Sequence, residues 1–511
     1  MLCALNFLNY GRMKKIYNVI IPLGGKGQRF KNLNYNQYKS FLKVPEETII
    51  EKICFNFPLK KTKFYLIGTK ENLSYFKKKK IKKIKFEFIN IKPHNKGPLF
   101  SIYLGAKKKH LNGLKTFIVY SDIVWKWNFK KIKKATNKKK IIVFTHKKFH
   151  PHLYKNYNSD FCKTKKTTVM EMSAKKPFTK DPFNEDLAIG CYYFDKSINW
   201  SFFVKEIYKI KRNKNIANEL YLLHLINNLI YHKLNVYTYK CKYFVHLGIP
   251  DQLIDYLYWK NYFSQDTKKN IYKNLFENTT NLMLMAGKGS RMEANQTSKP
   301  LIKIDNLKMY EKVFSYFPSD KKIVITNSKI AKSISKKVQV FNIKSSASFY
   351  DTLVKSKKYL INNNNYFLLS CDCFAHIDFL KFRNFLDINK PDIVVFYFEF
   401  SLFQKKLNNQ HTQLSILNSR IREFLVKKKY NPKLYGHAGF FWIANGKIFK
   451  KINELKKISF SREIIIDDYI KYLNEKSNFK ISAFKVENYM HLGSKYELKE
   501  YNYWKKIFKI S

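Results

Sequence analysis

Arginine is scarce in this 511-residue chain: of 98 basic side chains only eight are arginine, and only 16 residues are glycine. A length of 511 residues suits two or more domains, and 45% hydrophobic residues suffice for a folded core in each, which argues against disorder on a large scale. The cysteines at 3, 54, 162, 191, 241, 371 and 373 form no C-x-x-C pair and no disulfide framework, so a reducing, cytoplasmic setting is expected. Cys371 and Cys373 flank an aspartate, but the sequence places no further zinc ligand beside them. No apolar run approaches the roughly 20 residues that a membrane-spanning helix needs. Residues 1–13 lack the basic start and cleavage site of a signal peptide and are read as an N-terminal extension.

Acidic residues are also few, 37 in all, which leaves a formal net charge of +61. The lysines are spread along the whole length, and runs such as 77–80 suit solvated helix faces. Such a charge draws anionic substrates from a distance. It does not by itself imply specific nucleic-acid recognition, although a lysine-rich nucleic-acid-binding protein stands as a rival class.

What is present is a repeat. The stretch from Val19 through Leu23, Gly24, Gly25, Lys26, Gly27 and Gln28 to Arg29 returns as Leu282 through Ala286, Gly287, Lys288, Gly289 and Ser290 to Arg291. Each copy is an apolar run breaking into a glycine loop, through which backbone N–H groups can approach a phosphate unobstructed. Two of the rare arginines stand at matching places behind rare glycines, where a planar, forked donor is suited to phosphate oxygens.

Further landmarks keep the same order in both halves. Residues 65–69 pair with 323–327, and 117–122 with 367–372, the latter two runs ending in Asp122 and Asp372. The strand around Gly190 pairs with that around Gly439. His246, Leu247 and Gly248, followed by Tyr256, Trp259 and Phe263, return as His491, Leu492 and Gly493, followed by Tyr501, Trp504 and Phe508. Apolar runs alternating with amphipathic stretches at 95–109 and 345–360 predict an α/β fold of two tandem Rossmann-like domains, 14–263 and 281–511, with mostly parallel mixed sheets and a polar linker at 264–280. In such sheets ligands bind beyond the carboxyl ends of the strands, which sets Arg29 near Asp122 and Arg291 near Asp372.

The G-x-G-x-R loop is neither a Walker A sequence nor a dinucleotide fingerprint, since it lacks the following Gly-Lys-Ser/Thr and the third glycine. Downstream stand Lys39 and, in a Lys-Pro-Leu-Ile run, Lys299. Glycine loop, arginine, lysine and strand-end aspartate together supply donors for a triphosphate, cations for departing pyrophosphate and an oxygen ligand for Mg²⁺. With these motifs the chain resembles the sugar nucleotidyltransferase (NDP-sugar pyrophosphorylase) superfamily, of GT-A-like fold, twice over nearly its whole length. Tyr120, Ser121 and Asp122 with Trp125 and Trp127, then 149–152, then Lys175 to Thr179, make the first half similar to nucleotidyltransferases of capsular and surface-polysaccharide biosynthesis.

The resemblance implies Mg²⁺-dependent attack of a sugar 1-phosphate, or a related phosphorylated acceptor, on the α-phosphorus of an NTP. By position, Arg29, Lys39, Arg291 and Lys299 would contact the triphosphate, Asp122 and Asp372 would hold Mg²⁺, and Lys175 and Lys427 would grip the sugar phosphate. Leu23, Gly24, Gly25, Gly27 and Gly97, with Ala286, Gly287 and Gly289, would line the nucleotide pockets, and Gly190 and Gly439 the sugar pockets. Several positions depart from the family pattern: Ala174 replaces a glutamate, Ser40 a proline, and His246 and His491 a second metal-binding aspartate, though neutral imidazole suits a hard cation poorly. The 345–348 stretch has no counterpart of Gly97. His150 and His152 are read as loop packing, and Trp125, Trp127 and the aromatic stripe 256–263 as core. One active copy beside a degenerate regulatory or dimerising one is the nearer alternative, and homo-oligomers stay open.

Overall fold

The computed structural model describes residues 15–24, 39–44, 46–78, 81, 84–109, 113–155, 159–212, 219–264, 272–287, 298–344, 346–360, 364–407, 411–457 and 464–509. The protein is a mixed α/β chain that divides into two compact units, Met1–Leu257 and Tyr258–Ser511. The division falls inside the helix Pro250–Ser264, ahead of the polar stretch 264–280.

The first unit is built on nine strands: β1 (Tyr17–Leu23), β2 (Thr62–Gly68), β3 (Phe86–Asn90), β4 (Lys115–Val119), β5 (Ile141–His146), β6 (Asp160–Lys165), β7 (Thr168–Ala174), β8 (Asp186–Phe194) and β9 (Tyr237–Lys240). They lie in the order β3-β2-β1-β4-β8-β5-β9-β7-β6. β3, β2, β1 and β4 run parallel, and β8 lies antiparallel between β4 and β5. Central strands are apolar at nearly every position because both faces are covered, and every residue of β1 is buried. One face carries Ile20, Ile67, Ile118 and Val143 under helices Gly97–Lys108, Trp200–Arg212 and Leu222–Tyr231. Phe117, Phe144 and Tyr193 lie in a second, aromatic cluster with Phe57 and Trp127, and Trp125 is buried beside them, so both tryptophans belong to packing.

The second unit contains β10 (Thr279–Leu284), β11 (Lys322–Thr326), β12 (Gln339–Asn342), β13 (Asn365–Leu369), β14 (Ile393–Phe398), β15 (Gln413–Leu417), β16 (Arg420–Leu425), β17 (Tyr435–Ile443) and β18 (Ile481–Lys485). Their order is β12-β11-β10-β13-β17-β14-β18-β16-β15, that of the first sheet strand for strand. Small antiparallel pairs also recur: residues 123–125 with 244–246, and 373–376 with 487–491.

Parallel registration positions the site. β1 pairs with β4 from Tyr17 opposite Lys115 to Ile20 opposite Ile118, so Gly24 and the segment leading to Asp122 leave the sheet at one edge. β10 and β13 do the same for Ala286 and Asp372. In both units the strand after them carries an irregularity at a glycine, Gly190 (φ 83°) in β8 and Gly439 (φ 75°) in β17, each between matched register shifts. Among the described residues no helix is long and apolar enough to cross a membrane.

Candidate active site

In the first unit Lys39 opens a short 3₁₀ turn, Lys39–Phe41, which is anchored by buried Ser40 and by Phe41 packed 4.2 Å from Phe76. Its ammonium donates to Asp122 Oδ2 at 2.7 Å and to the Gly248 carbonyl at 3.2 Å. Asp122 follows β4, and its carbonyl accepts from Leu247 N at 2.7 Å, which ties the aspartate to the small 123–125/244–246 ladder. His246 Nε2 lies 3.8 Å from the same carboxylate oxygen. Burial pushes the Asp122 carboxyl up, but Lys39 and His246 outweigh it and hold it at about 2. The result is an ionised oxygen donor with a cation beside it.

The second unit repeats the arrangement with a tighter shell. Lys299 bonds Asp372 Oδ2, and His491 Nε2 lies 3.2 Å from that oxygen. Ser370 Oγ donates to Asp372 Oδ1 at 3.0 Å, and Leu492 N to the Asp372 carbonyl at 2.9 Å. Asp372 is 6% exposed, and despite that burial Lys299 and His491 hold its carboxyl well below the usual range. Asp372, Cys373 and His491 bring oxygen, sulfur and nitrogen donors within 4.8 Å of one another, and His411, His491 and Glu497 form a second such group. Among the described residues, groups of three or more such donors occur only in this unit.

Lys175 and Lys427, matched in the sequence, share a left-handed backbone (φ 55° and 51°) at the ends of β7 and β16. Lys175 is exposed, and its N–H donates to the Ser159 carbonyl at 3.1 Å. Ala174 stands directly across the hairpin from Asp160, so the two side chains leave the same face of the sheet. Burial raises the Asp160 carboxyl to about 7, with Lys175 drawing it back. The Tyr120 hydroxyl accepts from Leu222 N at 3.1 Å, and burial, with Asp160 and Asp122 adding to it, pushes the phenol well above its ordinary value. In the second unit the carboxylate that senses Lys427 is instead Asp467, paired with His437 Nδ1 at 3.0 Å.

The glycines divide by role. At Gly190 a side chain would meet Tyr120 at 2.9 Å, and at Gly439 the Cys373 sulfur at 2.7 Å, so both hold the strand against the aspartate segment. Gly97 (φ 80°) lets the Leu220 backbone pass, Gly24 lies against Ser101 and His94, and Gly287 bridges Ser346 in open space. Leu23 is buried at the end of β1 and Ala286 just past β10. Arg29, Gly25, Gly27, Arg291 and Gly289 lie outside the described residues. His152 packs in the loop as expected, its Nε2 2.9 Å from buried Asp255 and its Nδ1 3.0 Å from the His246 carbonyl.

Sequence reading passed over Asp160, His411, Gln252 and Glu497. A signal existed for Gln252 and Glu497, each six residues after the histidine of the repeated His-Leu-Gly; Asp160 and His411 approach only through sheet pairing and loop closure.

No protein-family model matches the chain, and no curated protein matches it. Solved structures similar to it include a nucleoside-diphosphate-sugar pyrophosphorylase from Vibrio cholerae RC9, at 19% identity and TM-score 0.40, covering 47% of this chain and 99% of that one. A UDP-glucose pyrophosphorylase complexed with UDP-glucose matches at 17% identity and TM-score 0.38, covering 48% of this chain and 99% of that one. An inositol-1-phosphate CTP transferase from T. maritima matches at 13% identity and TM-score 0.36, covering 45% of this chain and 96% of that one.

Proposed function

We propose that the chain is a nucleotidyltransferase that joins the nucleotidyl group of an NTP to a sugar 1-phosphate or related phosphorylated acceptor, releasing pyrophosphate and supplying NDP-sugars for surface polysaccharide. The observation that carries this reading is the lysine–aspartate pair, Lys39 with Asp122 and Lys299 with Asp372, standing twice just past the carboxyl end of a parallel strand. A transferred nucleotidyl group demands positioning and charge stabilisation more than covalent help, and a fixed ammonium beside a fixed carboxylate provides both.

In this reading Lys39 neutralises charge on the triphosphate, with Arg29 acting from the glycine loop. Lys175 holds the acceptor phosphate, and Asp160 receives the acceptor's hydroxyls in place of the glutamate absent at 174. The single hard oxygen donor of Asp122 fits Mg²⁺ together with substrate phosphates, and that ion would supply Lewis-acid stabilisation of the leaving group. Lys299, Asp372, Arg291 and Lys427 are the corresponding set in the second unit. The protein would work in the cytoplasm, without specific nucleic acid.

A release assay crossing NTPs with sugar 1-phosphates and Mg²⁺ tests this: pyrophosphate should form only when all three are present, and no turnover with no calorimetric NTP binding would refute it. Asp122→Ala and Asp372→Ala sort the two units. A second reading, with only the first unit active, is favoured by the burial of Asp372 among nitrogen and sulfur donors. It requires Asp122→Ala to abolish all turnover and Asp372→Ala to leave it intact.

A further inference from the structure

The second unit holds more donor atoms around His491 than nucleotidyl transfer uses. One atom each from His411, His491 and Glu497 lie within 4.8 Å of one another. His491 Nδ1 faces Glu497 Oε1 at 2.5 Å while Nε2 faces Asp372 Oδ2 at 3.2 Å, so both ring nitrogens are directed by carboxylates. The His411 ring lies 5.0 Å from the His491 ring at 70°, is 8% exposed, and its Nε2 has no hydrogen-bond partner. Buried polar nitrogens are nearly always satisfied, and one that is not calls for a partner.

We infer that His411, His491 and Glu497 form a site for a zinc-class divalent transition-metal ion. Two imidazoles and one carboxylate are a set that zinc accepts as three protein ligands, leaving a fourth position open. The groups behind them are arranged as such a site requires. Asp372 takes the hydrogen bond from the remaining nitrogen of His491, which fixes the ring's tautomer and orientation. Ser494 Oγ donates to Glu497 Oε2 at 2.8 Å, which aims Oε1 at the histidine. His411 brings a ring nitrogen within 4.8 Å of the other two donors, and its buried Nε2 has no hydrogen-bond partner. On binding, the ion takes the place of the proton that His491 shares with Glu497, and that proton passes to solvent.

The first unit serves as an internal control. Where the second has Glu497 and Cys373, the first has Gln252 and Ile123. Gln252 Nε2 lies 3.2 Å from His246 Nδ1, and its Oε1 accepts from Ile249 N at 3.1 Å, which caps the helix. An amide therefore meets the capping need at this position, whereas the second unit places there a carboxylate that faces His491 with one oxygen and accepts from Ser494 with the other. Nitrogen donors make the site a poor one for Mg²⁺, so it differs in kind from the ion proposed at Asp122.

The full-length protein, stripped with EDTA and desalted, can be titrated with Zn²⁺ against a chromophoric chelator and with Co²⁺ by visible absorption. About one equivalent of Zn²⁺ should bind, should resist excess Mg²⁺, and Co²⁺ should show the intense bands of a four-coordinate ion. Glu497→Gln, which installs the residue of the first unit, and His411→Phe should each weaken binding by about tenfold or more. Gln252→Glu should add no second equivalent. Far-ultraviolet dichroism of each EDTA-treated variant reports folding, and Glu497→Gln carries the test if His411→Phe does not fold. Folded wild-type protein that retains no stoichiometric Zn²⁺, or binding that Glu497→Gln leaves unchanged, overturns the inference. Neither readout involves turnover, so failure here leaves the transferase reading untouched.

Discussion

The Lys39–Asp122 contact makes a definite statement about acid. The folded aspartate titrates at about 2, below the ordinary value near 4, so its pairing contributes stability that is complete above about pH 4 and disappears as pH falls through about 2. Thermal unfolding of wild type and Asp122→Asn should differ by a constant amount above about pH 4 and converge between about 4 and 2. Asp160 carries the opposite sign. Its carboxyl is raised to about 7, so the native state is favoured while it stays protonated, and stability is lost as pH rises from about 4 through 7. Asp160→Asn should flatten that slope, and if Asp160 also faces the acceptor, KM for the sugar phosphate should rise several-fold with a smaller change in kcat. The sequence shows the gap at Ala174 but not its neighbour, because residues 160 and 174 meet only across a hairpin whose turn is unsigned: Lys166 takes the left-handed position (φ 55°) that asparagine takes at Asn418 (φ 48°) in the second unit.

At the scale of elements, strands of Val, Ile, Leu and Phe were legible because burial on both faces leaves an apolar run, as from Val19 to Leu23 in β1 and in β13. The small ladders were not, since three to five residues give no period. Resemblance sets Gly190 and Gly439 in the sugar pocket; their positive φ and the nearness of Tyr120 and Cys373 add a demand that sequence alone does not express. Gly190→Ala should cost about 1–3 kcal/mol in urea unfolding, from backbone strain and displacement of Tyr120. Glu497 was hidden for a different reason: it reads as an ordinary first-turn acid of helix Lys495–Lys509, and only folding brings His411 beside it.

For the molecule as a whole, the charge of +61 is the property most open to misreading. If these lysines are solvated surface, binding to DNA or RNA should be indifferent to sequence and largely gone by roughly 0.2 M salt, as counterion release requires. Nucleotide binding should persist, because short and partly desolvated contacts are screened less. Parallel filter-binding and nucleotide titrations across salt check this, and selective nucleic-acid binding at high salt would favour the rival class. The shared strand order has a consequence of another kind. A chain with two sheets of one topology offers every nascent central strand two berths of matching neighbours, so misassembly by strand exchange competes with correct folding. Divergence between the halves then acts as a barrier to trespass: the less β1 resembles β10, the less often either is captured by the other's neighbours.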